Sequence, residues 1–90
     1  METHPGPRVL FIDDIPIIGE GIRRMLASES DIAFEYCQHA SEAAALAREF
    51  CPTVVLQDLE MPEIDGLTQV GVFRQDEELR NIPIIIVSSK

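Results

Sequence analysis

Ninety residues carrying a formal charge of −9, 16 Asp and Glu against 7 Lys and Arg, with 46% hydrophobic composition, describe one small domain. Scattered basic residues, with Arg23 and Arg24 the sole adjacent pair, exclude a nucleic-acid backbone or an anionic membrane as the direct partner. No apolar run is long enough to cross a bilayer, and the proline- and glycine-containing start over 1–7 reads as a disordered tail, neither signal peptide nor anchor.

After that tail, Arg8 to Ile12 is a nearly continuous hydrophobic run, as in a central strand covered on both faces. It ends in Asp13 and Asp14. Pro16 suits a first helical turn, and Ile17, Ile18, Ile22, Met25 and Leu26 follow at helical spacing. Gly19 and Gly21 weaken this helix by about 1 kcal/mol each relative to alanine, and close packing is the one evident reason for them. Ile32 to Gln38, with Phe34 and Tyr36, reads as an edge strand. Ser41 and Glu42 then open a helix, N-capped by the serine, that ends near Phe50 before Pro52.

Thr53 to Gln57 is the next strand, delivering Asp58 into a turn that contains Met61, Pro62, Asp65 and Gly66. Asp65 suits a turn or cap, and Gly66 a special backbone angle or a close approach that a β-carbon would block. Leu67, Val70, Val72 and Phe73 mark a third helix running out among Asp76, Glu77 and Glu78, and Ile82 to Val87 is a fourth strand whose Pro83 is tolerated near its start. Alternation of strand and helix through short connections predicts an α/β, doubly wound parallel sheet in a domain over 8–90. Cys37 and Cys51, beside apolar segments and without metal-ligand spacing, are expected as buried free thiols in a reducing, cytoplasmic setting.

In open α/β sheets ligands sit beyond the carboxyl ends of the strands, where Asp13, Asp14, Asp58 and Ser88 all fall. Either acid cluster alone reads equally well as capping aspartates; together, at the ends of two core strands, they predict a shared site for a hard divalent cation such as Mg²⁺. An isolated strand-end serine is commonly structural. The D-x-D arrangement of a haloacid-dehalogenase-like phosphatase is absent, because Asp13 and Asp14 are adjacent, and Pro62 breaks the spacing of an EF-hand loop.

Phe11-Ile12-Asp13-Asp14, Asp58 followed by Met61-Pro62 and Asp65-Gly66, and Ile84 to Ser88 together resemble a response-regulator receiver domain over nearly the whole chain. The stretch around Gln57 to Leu59 and residues 82–90 further resemble receivers that precede diguanylate cyclase domains. The resemblance implies a flavodoxin-like receiver fold with strand order 2-1-3-4, and Asp58 as acceptor of a phosphoryl group from a sensor histidine kinase. It implies Mg²⁺ held by Asp13, Asp14, Asp58 and the Glu60 backbone carbonyl, and Ser88 as the switch hydroxyl. The partners it implies are that kinase and an output domain, with a homodimer as a further possibility, and the chain itself is then a phosphoacceptor rather than an enzyme.

Receivers also carry a fifth strand ending in a lysine, and two further helices, which these residues do not include. Lys90, two residues past Ser88, is not that lysine. The expectation is therefore an incomplete receiver, part of a longer protein, with an apolar fourth strand left as an exposed sheet edge. Glu60 and Lys90 are expected to flank the pocket from opposite sides, more commonly as two solvated loop charges than as a weak ion-paired lid. The rival reading is a non-phosphorylated pseudo-receiver acting as an interaction module.

Overall fold

The computed structural model describes residues 6–88. Within them β1 (Arg8–Ile12), α1 (Pro16–Leu26), β2 (Ala33–Cys37), α2 (Ala40–Phe50), β3 (Val54–Asp58), α3 (Gly66–Arg74) and β4 (Ile84–Val87) follow in order. The four strands form one parallel sheet in the order β2-β1-β3-β4, a flavodoxin-like receiver arrangement, so β1 is central and β2 an edge as their hydrophobicity predicts. Of the tail expected over 1–7, residues 1–5 lie outside the description, and the Pro7 carbonyl already accepts the Ala33 N–H at 2.9 Å.

Alternation along the strands separates two faces. Leu10, Ile12, Cys37 and Val55 point one way and pack with Ala40, Ala43 and Ala47 of α2, Phe73 of α3, Met61 and Leu79 into the buried core. Phe11 and Tyr36 point the other way, beneath α1, with ring centroids 6.2 Å apart. Ile85 pairs in register with Leu56 and is 52% exposed, in keeping with the expected apolar outer strand.

Three details differ from the sequence expectation. Ser41 does not cap α2: the N-cap is His39, without a side-chain bond, and the Ala40 N–H is instead accepted by Glu63 Oε1 at 2.9 Å. An acceptor reaching across from the next loop cannot be recognised from local sequence. β4 begins two residues later than expected because Ile82 N–H closes a turn onto the Leu79 carbonyl. Cys37 is buried, but Cys51 is exposed, because it is the left-handed C-cap of α2 (φ 54°) rather than part of its buried face. Arg8 holds that cap, its Nε donating to the Cys51 carbonyl at 2.7 Å.

Gly66 is explained by close approach. Its N–H donates to the Leu59 carbonyl at 2.8 Å, and a β-carbon would lie 2.6 Å from the Asp58 carbonyl oxygen and 2.9 Å from Leu59 Cα, both backbone atoms that cannot turn aside. At Gly71, in the same helix, a β-carbon would meet nothing within 4 Å. Gly71→Ala is therefore expected to stabilise the chain by about 0.5–1 kcal/mol, and Gly66→Ala to destabilise it. Thermal melts of the two variants beside wild type check the opposite signs.

Candidate metal centre

Parallel pairing brings the carboxyl ends of β1 and β3 to one edge of the sheet, and the acids follow from that register. Asp13 sits one residue past β1, where its N–H donates to the Cys37 carbonyl at 3.1 Å and extends the ladder with β2. It is fully buried. Asp13 Oδ1 accepts the Ile15 N–H at 2.8 Å, and its backbone carbonyl accepts the Tyr36 hydroxyl at 2.6 Å. Asp58 closes β3, opposite Val87 in the register, and is likewise buried. Asp13, Asp14 and Asp58 each offer a carboxylate oxygen within 4.8 Å of the others.

That proximity has an electrostatic cost. Burial pushes the Asp13 carboxyl up from the ordinary value of 3.8, aided by the charge of Asp14 and opposed by the Ile15 N–H. Burial also pushes Asp58 up, with the charges of Asp13 and Asp14 adding to it and the Glu60 N–H opposing it. Burial and the same two aspartates hold the Tyr36 phenol at about 12, so its hydroxyl remains a donor at neutral pH. Asp13 Oδ2 is buried without a hydrogen-bond partner. A buried, unpartnered carboxylate oxygen beside two further carboxylates is a donor set that fits a hard, oxygen-seeking divalent cation.

A cleft of about 470 Å³, lined by Asp14, Leu59, Glu60, Met61, Pro62 and Asp65, opens beside the acids. Glu60 lies on its wall, with its N–H 3.4 Å from Asp58 Oδ1. Asp65 is the N-cap of α3, as its type predicts: it accepts from the Thr68 N–H at 2.8 Å, which lowers its pKa. Ser88 directly follows β4 and is exposed; the Leu59 N–H donates to the preceding Val87 carbonyl at 2.8 Å, so the serine stands at the same end of the sheet as Asp58. Lys90, and with it any pairing with Glu60, lies outside the described residues.

The three acids expected at the strand ends meet at one edge of the sheet, whereas the groups that hold them carry little local signal. Tyr36 reads as a strand aromatic, although it stands one residue before the observed end of its strand and shares a face with Phe11. Gln57 carries a visible signal, a polar residue inside a buried apolar strand. Its amide nitrogen donates to the Asp58 carbonyl at 2.9 Å and contacts Met61 Sδ at 3.3 Å, both acceptors, which fixes the orientation of the amide. Glu63, which ties the β3–α3 loop to α2, carries no local signal.

Residues 9–90 match the family model described as the response regulator receiver domain, and the chain belongs to that family. Receiver domains are signalling modules of two-component systems. Response regulator Rre1 of Synechocystis is 24% identical over 82 residues, covering 91% of this chain and 36% of that protein. The protein-glutamate methylesterase/protein-glutamine glutaminase 2 of Methanospirillum hungatei is 35% identical, covering 90% and 23% respectively, so this chain spans about a third or less of both relatives. The crystal structure of the N-terminal domain of a response regulator receiver protein from Methanoculleus marisnigri superposes with a TM-score of 0.84, at 24% identity over 93% of this chain and 68% of that one.

The raised carboxyls fix the sign of a pH dependence. Folding raises the affinity of Asp13 and Asp58 for protons, so their favourable contribution is present at low pH and is lost as pH climbs from 3.8 through the raised values. The metal-free chain is therefore expected to lose stability toward neutral pH, and Asp13→Asn to flatten that loss and raise the neutral-pH melting temperature. Melts in chelator across that pH range check it, and a lower melting temperature for the variant would contradict it.

Proposed function

We propose that this chain is the phosphoacceptor receiver of a two-component response regulator, with Asp58 as the nucleophile. The observation that carries the reading is the meeting of three strand-end carboxylates within 4.8 Å of one another, one of them with a buried unpartnered oxygen. Membership of the receiver family supports the same reading. Asp13, Asp14, Asp58 and the Glu60 carbonyl would hold a Mg²⁺ ion, which when bound would offset charge on the transferring phosphoryl group, the main source of phosphoryl-transfer catalysis.

The Asp58 carboxylate oxygen attacks the phosphorus of a kinase phosphohistidine. The new O–P bond forms as the N–P bond breaks, and the imidazole leaves with the electron pair and takes up a proton. Asp13, anchored by the Ile15 N–H and the Tyr36 hydroxyl, and Asp14, at the mouth of the cleft, hold the ion while Asp58 reacts. Ser88, following β4 at the same sheet end, supplies the hydroxyl that turns toward the phosphoryl group and shifts a two-state equilibrium read by an output domain. The pointer to that output is the sequence resemblance to receivers ahead of diguanylate cyclases. A sensor histidine kinase as phosphodonor supports a cytoplasmic location for the domain.

Incubation with a small acyl-phosphate donor and Mg²⁺, read by intact mass and peptide mapping, is expected to add one phosphoryl group at Asp58. The adduct is expected to vanish in Asp58→Asn or with chelator, and to form at least tenfold more slowly in Asp14→Asn, as loss of a charge-stabilising ligand requires (about 1.4 kcal/mol per tenfold). A folded, Mg²⁺-binding wild-type chain that takes up no phosphoryl group would overturn the reading in favour of a pseudo-receiver module.

A further inference from the structure

We infer that Tyr36, on the edge strand β2, is a positioning residue for the acidic centre, and that Gly19 of α1 exists to let its ring reach Asp13. The inference rests on the phosphoacceptor reading of the same site. The Tyr36 hydroxyl donates to the Asp13 backbone carbonyl at 2.6 Å, across 23 residues of sequence. The ring passes directly under Gly19, the one buried residue of α1, where a β-carbon would lie 2.5 Å from the ring carbons Cδ1 and Cε1 and 2.7 Å from Cζ. Phe11 borders the ring on the neighbouring strand, with an interplanar angle of 34°. The helix-weakening glycine and the aromatic on the edge strand thus form one contact.

The chemistry of that contact suits a cation site. Asp13 is held at three atoms: its N–H by the Cys37 carbonyl, its carbonyl by the phenol, and Oδ1 by the N–H of Ile15, the N-cap residue of α1. Oδ2 is left buried and unpartnered. A neutral hydroxyl bonded to the carbonyl fixes the residue without pairing either carboxylate oxygen, whereas a lysine or arginine reaching the carboxylate would compete with an incoming cation. Outer groups that orient metal ligands in this way typically change metal affinity 10- to 100-fold when removed.

Tyr36→Phe keeps the ring and removes the bond, and Gly19→Ala keeps the tyrosine and displaces its ring. Gly21→Ala is the control, since its β-carbon would meet nothing within 4 Å. Two measurements on the full 90-residue chain decide the matter: hydrogen exchange at the Ile15 amide without metal, and the Mg²⁺ dissociation constant by calorimetry. In Tyr36→Phe and Gly19→Ala the Ile15 amide is expected to exchange several-fold faster, and the dissociation constant to rise about tenfold. Gly21→Ala is expected to match wild type in both. Unchanged exchange and affinity in Tyr36→Phe would overturn the positioning role. A wild-type chain that binds no Mg²⁺ would overturn the metal site itself, and with it this role, whatever the Ile15 amide does.

Discussion

Mutual repulsion among three carboxylates is the constraint around which this small fold is arranged. β1 and β3 are adjacent and parallel, so their acidic ends necessarily meet at one edge of the sheet. Two of the acids are buried there, and burial is the first cause of their raised affinity for protons. In a medium poorer than water at screening charge, such a group is stable only when protonated or when offset by a cation. Donors gather around these residues: the N–H groups of Ile15 and Glu60 reach the Asp13 and Asp58 carboxylates, and the Tyr36 hydroxyl and Gln57 amide reach their backbone carbonyls.

Those donors come from both faces of the sheet. Tyr36 reaches Asp13 from beneath α1, while Gln57 works from the core side, linking the Asp58 carbonyl to Met61 in the following loop. The β3–α3 loop is fastened at further points. Gly66 lets the backbone return against Asp58, Asp65 caps α3, and Glu63 takes over the capping of α2 while lying 3.9 Å from His39. The loop that follows Asp58 is thus anchored to two helices and a strand rather than left as a free turn, which is how short side chains keep a fixed geometry.

Much of this was legible in the sequence because it is local and periodic. Apolar runs of strand length, helical spacing between them and Pro16 mark the element order, and acids directly after two such runs mark the carboxylate cluster. The family resemblance rested on the same residues and is matched by the family model over 9–90. What escaped was long-range. Glu63 caps a helix 23 residues upstream, and Tyr36 bonds a carbonyl 23 residues away, and no window of sequence contains both ends of either contact. Cys51 was misplaced for a different reason: its type favours burial, but a left-handed helix cap must turn outward to end the helix.

Residues 13, 14 and 58, with carboxylate oxygens within 4.8 Å of one another, suit a single divalent-cation site better than three neighbouring caps. Calorimetric titration of Mg²⁺ into the metal-free chain at neutral pH tests it most directly, with Asp14→Asn and Asp58→Asn run alongside. One ion per chain is expected, with binding weakened by either substitution; a flat wild-type titration, or one that neither substitution alters, would rule out a shared cation site.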